Sequence, residues 1–223
     1  MFDAVIFDCD GCLIDSEVLA LEVELAALAD AGMIYDREDF CRRFMGLTDD
    51  AFFAALDADR LAALGGPLPA DFRREHDAKL TRAVDERLAE VAGAAAAVAA
   101  LGRRKAVASS SHAAFLERKL RRAGLWEAFA PHVYAGDQVA RGKPAPDLFR
   151  LAAAGLGVAA DRCLVIEDSV NGVLAGRAAG MTVWALAAGG HIRPGDIPRL
   201  RQAGAHAIVG AWSEAARDFA AWG

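Results

Sequence analysis

Six short apolar runs, each separated from the next by residues of helical character, are the strongest constraint that this sequence places on its fold. The runs cover residues 3–8, 105–109, 132–135, 163–166, 182–187 and 207–209. Runs this short and this apolar are typical of strands buried on both faces, and strands that alternate with helices pair in parallel. The sequence therefore predicts an α/β fold, a parallel sheet covered by helices.

One long segment interrupts the alternation. From residue 16 to about residue 85 the chain shows helical periodicity and no convincing strand. Gly32 stands where a first helix would stop, and the Gly-Gly-Pro-Leu-Pro sequence at 65–69 predicts a loop. Because the insertion follows the first strand, it would lie over the strand tips, where ligands bind in open α/β sheets. We predict a small all-helical cap domain at 16–85 and an α/β catalytic core formed by 1–15 and 86–223.

Composition and charge exclude several kinds of binding partner and several locations for this chain. The formal net charge is -6, which is unlike the basic surface that nucleic-acid binding requires. The most apolar long stretch, 91–102, is well short of the roughly 20 residues of a membrane span. The first residues lack the basic start and cleavage site expected of a signal peptide, and the four cysteines are too sparse to predict a disulfide scaffold. We expect a cytoplasmic protein with reduced thiols and with neither nucleic acid nor a membrane as partner; the sequence predicts no oligomeric state.

Two acids lie where the first apolar run ends. Asp8 and Asp10 are two residues apart, so their side chains point to one side if the chain is still extended. Crowded carboxylates repel each other unless a cation lies between them, and hard oxygen ligands favour Mg²⁺. With the cation present, one carboxylate can attack phosphorus while its neighbour handles protons. Taken alone, however, the sequence Asp-x-Asp-Gly fits a polar turn after a strand better.

Three further segments place polar side chains after other strands. Residues 109–111 are serines, which suit a phosphate oxygen or, alternatively, a helix N-cap. Lys143 precedes a proline in a stiff turn, where it can neutralise carboxylate and phosphoryl oxygens, although a surface loop lysine is the common alternative. Glu167 and Asp168 follow the fourth run, where acids can also simply stabilise a helix N-terminus. Because parallel strands end at one edge, the segments together predict a single pocket.

These segments, in this order, resemble the four motifs of the haloacid dehalogenase-like hydrolase superfamily. The helical insertion after the first motif resembles the β-phosphoglucomutase-like branch of subfamily IA phosphatases. The three specific motifs are Asp8-Cys9-Asp10-Gly11, Gly142-Lys143-Pro144 and Ile166-Glu167-Asp168-Ser169, and a looser second motif lies at 109–111. The resemblance implies a Rossmann-like core with helices on both faces and an inserted helical cap. It also implies a Mg²⁺-dependent phosphatase that hydrolyses a small phosphorylated metabolite, such as a sugar phosphate, through an aspartyl-phosphate.

The resemblance assigns the metal site and the acid–base chemistry residue by residue. Asp8 becomes the nucleophile and a metal ligand. Asp10 becomes the general acid and base, with its backbone carbonyl also on Mg²⁺. Asp168 becomes the metal ligand of the fourth motif, and Glu167 assists through the water shell of the metal.

The resemblance likewise assigns the groups that bind phosphate. Ser109 and Lys143 would hold the transferring phosphoryl group, and Ser110 and Asn171 would assist at the rim. The metal and Lys143 together would stabilise the charge that develops on phosphorus.

Three other functions compete within this fold. Mutases of the branch carry a histidine after the first motif and an arginine after a cap glycine, where this chain has Ala20 and, after Gly46-Leu47-Thr48, Asp49. Since an acid would repel a second phosphate, we favour the phosphatase over the β-phosphoglucomutase-type phosphotransferase. Dehalogenases of the superfamily lack the second aspartate. A silent binding protein on the same fold is disfavoured because Asp8, Asp10, Lys143 and Asp168 are intact.

Three other sequence patterns are not interpreted as functional sites. Cys9 and Cys12 have the spacing of redox and zinc sites, but no second pair or histidine cluster completes such a site. Glycines at 172, 176 and 180 predict a helix packed closely on the sheet. The five histidines show no ligand spacing and are predicted to be surface or packing residues; they are His76, His112, His132, His191 and His206.

Overall fold

The structure, a computed structural model, describes residues 2–44 and 49–221, with the backbone alone at 49 and 50. It divides into two compact units, residues 1–18 with 87–223 and residues 19–86. The action of the second unit as a cap over the site stays a prediction. None of the helices in the described residues is long and apolar enough to cross a membrane.

The first unit is built on six strands that all pair in parallel, in the order β3-β2-β1-β4-β5-β6. The strands are β1 Ala4–Phe7, β2 Arg104–Ser109, β3 Val133–Ala135, β4 Cys163–Glu167, β5 Thr182–Leu186 and β6 Ala207–Val209. Their ends differ from the predicted ones by at most one residue. The predicted parallel α/β core is confirmed. The strands could be predicted because each is a separate apolar run.

The second unit is helical, and no strand occurs among its described residues. The helices of this part of the chain are α1 Ser16–Asp30, α2 Arg37–Phe44, α3 Asp49–Leu64 and α4 Phe72–Arg87. Aromatic rings fill its core, where Phe40 and Phe44 lie 4.8 Å apart between centroids and Phe52 meets both rings edge-on. Gly32 has a φ of +84°, which is why α1 ends just before it.

Helices cover both faces of the sheet. They are α5 Ala94–Ala100, α6 Ala113–Arg122, α7 Trp126–Phe129, α8 Asp147–Leu156, α9 Val170–Ala178, α10 Asp196–Gln202 and α11 Trp212–Ala220, with single 3-10 turns at Gly136–Gln138 and Ala160–Arg162. Ile6 and Phe7 point to opposite faces of β1. Ile6 packs with Phe149 of α8 and Val173 of α9, whereas Phe7 packs against Trp212 at the start of α11. Burial on both faces explains the uninterrupted apolar sequence of β1.

The strand order positions a crevice at the end of β1. The chain moves outward from β1 through β2 to β3, and then returns to β4 on the other side of β1. This reversal makes the carboxyl end of β1 a topological switch point, where open α/β sheets bind ligands. The register pairs Phe7 with Val107 of β2 and with Ile166 of β4. The residues that follow Phe7, Val107 and Ile166 therefore lie side by side at the carboxyl edge of the sheet.

Candidate active site

The first motif forms a tight turn fixed to the core. The backbone N–H of Asp8 donates to Ile166 O at 2.9 Å and thereby extends the sheet by one residue. The chain then turns at Gly11, whose φ of +71° favours glycine, and its N–H donates to Ile14 O at 2.8 Å. The indole N–H of Trp212 donates to Cys12 O at 3.0 Å. This turn therefore holds the Asp8 carboxylate at the switch point.

Three carboxylates converge at this edge of the sheet. Asp8, Glu167 and Asp168 each offer a carboxylate oxygen, and these oxygens all lie within 4.8 Å of one another. The three residues are 7%, 1% and 7% exposed. They come from the ends of β1 and β4, whose pairing brings the first and fourth motifs together. We call these three residues the acidic cluster.

Lys143 reaches the acidic cluster from the loop that precedes α8. Its ammonium donates to Asp8 Oδ1 at 2.5 Å, to Glu167 Oε1 at 2.7 Å and to Ala108 O at 2.9 Å. Burial alone would lower the pKa of this ammonium, but the facing carboxylates of Asp8 and Glu167 raise it above its ordinary value. Lys143 is therefore a permanently charged cation in direct contact with Asp8.

The acidic cluster is short of positive charge. Burial raises the pKa of Asp8 despite the opposing charge of Lys143, and the neighbouring Glu167 and Asp168 raise it further. The pKa of Asp168 is raised by burial and then by Glu167. Asp8 and Asp168 are buried oxygen donors with raised pKa values, and such donors fit a hard divalent cation, which would take the place of the protons. The chemistry of the cluster thus agrees with the metal requirement of the predicted phosphatase.

Asp10 belongs to a different group of side chains. Its carboxylate accepts hydrogen bonds from Ser16 Oγ at 2.6 Å, Ser111 Oγ at 3.0 Å and Ser109 Oγ at 3.1 Å, and it forms an ion pair with Lys119. Burial raises the pKa of Asp10, but the charge and hydrogen bond of Lys119 and the serine hydroxyls outweigh it and lower the pKa to about 2. A chain that stayed extended would place the side chains of Asp8 and Asp10 in one cluster. The turn that begins at Asp10 instead directs its side chain toward α6.

The predicted phosphate-binding residues separate into two sets. Ser109 is fully buried at the end of β2, where its hydroxyl accepts from Ser111 N at 3.1 Å and donates to Asp10. Lys143 lies against Asp8, as described above. Ser110 and Asn171 are exposed, and no hydrogen bond joins either side chain to the acidic cluster within the described part of the chain. Their predicted place at the rim of the site stays a prediction.

Glu167 is held by the backbone of its own motif. Its Oε2 accepts from Asp168 N at 2.9 Å, Ser169 N at 2.8 Å and Ser169 Oγ at 2.9 Å, while its Oε1 accepts from Lys143. A Cβ at Gly172 would lie 1.6 Å from Glu167 Oε1. This glycine of α9 therefore leaves room for the glutamate, a role that adds to the close packing predicted for the glycine series.

Two residues of the site were missed by the sequence analysis. Lys119 of α6 is 2% exposed, and it lies on the same helical face as Leu116 and Leu120, so a lysine in an apolar stripe was the available signal. His191, which follows β5, places Nε2 at 2.8 Å from Asp168 Oδ2. Nothing in its local sequence marks this contact, which depends on a loop distant in the chain.

The fold and the site together define a class of hydrolase. Residues 2–180 match the family model described as haloacid dehalogenase-like hydrolase, and the chain belongs to this family. This match confirms the predicted resemblance to the superfamily. The family, together with relatives named as phosphatases, also confirms the predicted enzyme class, a phosphatase.

Individual relatives cover most of the chain. The 6-phosphogluconate phosphatase of Escherichia coli K12 is 29% identical over 200 residues, 89% of this chain and 88% of the relative. A phosphorylated carbohydrates phosphatase of Thermotoga maritima is 33% identical over 182 residues, 80% of this chain and 82% of the relative. The crystal structure of a HAD family hydrolase from Deinococcus radiodurans R1, with bound phosphate and sodium, superimposes with a TM-score of 0.83 at 36% identity, covering 96% of this chain and 93% of that one.

Proposed function

We propose that this protein is a Mg²⁺-dependent phosphatase that hydrolyses a small phosphorylated metabolite, a sugar phosphate, through an aspartyl-phosphate on Asp8. The observation that carries the proposal is the contact of Lys143 with Asp8 Oδ1 inside the acidic cluster. A nucleophilic carboxylate needs a fixed position and a nearby cation that tolerates the incoming phosphoryl charge. The activities of the two phosphatase relatives on phosphorylated sugars or sugar acids support the substrate class.

The cation would be held by carboxylate oxygens of Asp8 and Asp168 and by the backbone carbonyl of Asp10. Glu167 would assist through water, because its own oxygens already accept hydrogen bonds from the protein. The metal, when bound, supplies positive charge that polarises the phosphoryl oxygens and offsets the repulsion among the carboxylates. Lys143 and Ser109 would bind the phosphoryl oxygens and hold phosphorus in line with the Asp8 carboxylate.

The reaction divides into two displacements at phosphorus. In the first, an Asp8 oxygen bonds to phosphorus, the ester P–O bond breaks, and Asp10 gives the departing alkoxide the proton that it took from water in the preceding turnover. In the second, water bonds to phosphorus while Asp10 takes its proton, and the bond between phosphorus and Asp8 breaks to release inorganic phosphate. The ion pair with Lys119 holds Asp10 in its carboxylate form, which is the form that the second displacement requires.

Replacement of the nucleophile tests the proposal. Asp8→Asn should lower turnover of the best substrate in a panel of phosphorylated metabolites by at least about 10³-fold, since the amide cannot form the phosphoenzyme. Asp218→Asn, which changes an exposed aspartate of α11, is the matched control and should retain full activity. Undiminished turnover by Asp8→Asn would show the proposal to be wrong.

Two further measurements separate the alternatives. An acid quench during turnover of ³²P-substrate should leave label on the wild-type chain that hydroxylamine removes, as acyl phosphates require. Release of inorganic phosphate identifies a phosphatase, whereas isomerised β-glucose 1-phosphate without release identifies a mutase. Gly46, Leu47 and Thr48 and the side chain of Asp49, which bear on the mutase alternative, lie outside the residues that the structure describes. The cytoplasmic location stays a prediction.

A further inference from the structure

A histidine outside the four motifs contacts the acidic cluster. The loop after β5 contains Gly189, Gly190 and His191, and it places His191 Nε2 at 2.8 Å from Asp168 Oδ2. The two side chains are 9% and 6% exposed, so water competes little for this contact. The loop is tied to the first motif, because Gly190 N donates to Asp15 Oδ1 at 3.1 Å.

The imidazole occupies a slot between two glycines. A Cβ at Gly11 would lie 2.5 Å from His191 Cε1 and 2.2 Å from Asp168 Oδ2. A Cβ at Gly189 would lie 2.7 Å from His191 Cε1 and 2.5 Å from Gly11 O. Any side chain at either position would therefore displace the ring. Both glycines are needed to bring the histidine against Asp168.

Only one end of the ring has a polar partner. His191 Nδ1 is buried and has no hydrogen-bond partner among the described residues. Nε2 is therefore the ring nitrogen that faces a polar partner, the Oδ2 atom of Asp168 at 2.8 Å. A buried polar ring that leaves one nitrogen unpaired is poor packing by itself, because a leucine would fill the slot without that cost. The contact with Asp168 is the favourable interaction that explains a histidine at this position.

We propose that His191 is a positioning residue that holds the carboxylate of Asp168 in the orientation that binds the divalent cation. The contact occupies Oδ2 of Asp168 and leaves Oδ1 for the cation, and it restricts the rotation of the carboxylate. Partners of this kind behind a ligand typically change metal affinity by about 10–100-fold. The inference rests on the metal site of the proposed function and adds a residue from a separate loop to it.

Direct metal binding to the intact protein tests this role without relying on turnover. The free Mn²⁺ signal in electron paramagnetic resonance gives the dissociation constant of Mn²⁺ for the wild type and each variant. His191→Leu, which fills the slot without a donor, should weaken Mn²⁺ binding by about tenfold or more. His191→Gln carries an amide N–H near the position of Nε2 and should bind within about threefold of the wild type. His112→Leu changes a histidine whose side chain is 85% exposed and should leave the constant unchanged.

The outcomes separate this inference from the proposed function. If the wild type binds Mn²⁺ and His191→Leu binds it with equal affinity, the inference is overturned. An equal loss of Mn²⁺ affinity in His191→Leu and His191→Gln also overturns it, because the N–H donor would then be irrelevant. Failure of the wild type to bind Mn²⁺ removes the metal site itself, and the inference with it. If His191→Leu does not fold, His191→Asn replaces it, since its shorter side chain cannot deliver the amide to Asp168. Undiminished Mn²⁺ binding by His191→Asn would again overturn the inference.

Discussion

The ion pair between Lys119 and Asp10 should be a strong and measurable coupling within the site. The two side chains are 3% and 20% exposed, so solvent screens the pair only weakly. Burial raises the pKa of Asp10, yet Lys119 and the serine hydroxyls lower it from 3.8 to about 2. At about 1.4 kcal/mol per pKa unit, this difference corresponds to about 2.5 kcal/mol of free energy of unfolding. We expect a Lys119–Asp10 coupling energy of about that size.

A double-mutant cycle measures this coupling. The free energy of unfolding in urea at pH 7 is compared for the wild type, Asp10→Asn, Lys119→Met and the double variant. Lys119→Met alone should cost about 3–5 kcal/mol, because it leaves a buried carboxylate without its counter-charge. The double variant should recover part of that loss. Lys105→Met is the control, since Lys105 Nζ donates to the Val98 carbonyl at 2.8 Å and its effect should add to that of Asp10→Asn.

The sign of the pH dependence gives a second check. Because the pKa of Asp10 is lower in the folded protein than in the unfolded chain, its stabilisation is complete above about pH 4 and is lost as the pH falls through about 2. The coupling should therefore be constant from pH 5 to pH 7. A coupling energy below about 0.5 kcal/mol at pH 7, the level of additive sites, would refute the reasoning.

Two remaining predictions concern the acidic cluster. Gly172→Ala should abolish most activity and lower the free energy of unfolding, because its Cβ would lie 1.6 Å from Glu167 Oε1, whereas Gly102→Ala, with no atom within 4 Å of the added Cβ, should be neutral. Activity assays and urea unfolding of both variants decide this point. Burial and neighbouring acids raise the folded-state pKa values of Asp8 and Asp168, so their contribution to stability is present below pH 4 and is lost as the pH rises through the raised values. At one fixed concentration, Mg²⁺ should therefore raise the Tm more at pH 7 than at pH 5. A concentration 100 times the Kd at pH 7 adds about 2.7 kcal/mol of stability there, and equal Tm shifts at both pH values would contradict the prediction.

The sequence predicted the sheet and the meeting of the motifs because both depend on local signals. Each strand is a separate apolar run, and the charged residues Asp8 and Glu167 follow two of these runs directly. Parallel pairing then brings the strand ends to one edge, so β1 and β4 place Asp8 beside Glu167. Lys143 could be anticipated from its motif, although its contact with Ala108 O depends on the fold.

The orientation of Asp10 could not be predicted from its own neighbours. The side chains of Asp8 and Asp10 share a direction only while the chain stays extended, and the positive φ of Gly11 ends that condition. The direction is then set by Lys119, which lies 109 residues further along the chain. The position of His191 is harder still to predict, because its slot is formed by Gly11 and Gly189 from separate loops. Contacts between distant segments, rather than local pattern, determine this part of the site.

The separation of the two groups has an electrostatic consequence for the proposed chemistry. When ionised, the acidic cluster carries three negative charges, and Lys143 offsets one of them, so a net charge of minus two remains. Asp10 adds nothing to this total, because Lys119 balances it within its own group. One divalent cation would therefore neutralise the cluster before the phosphoryl group arrives. If Lys119 were absent, a fourth acid would enter the same field, and its pKa would rise toward those of Asp8 and Asp168. The buried lysine of α6 thus keeps the proposed acid–base residue electrostatically apart from the proposed nucleophile, which is what two carboxylates with different roles in one site require.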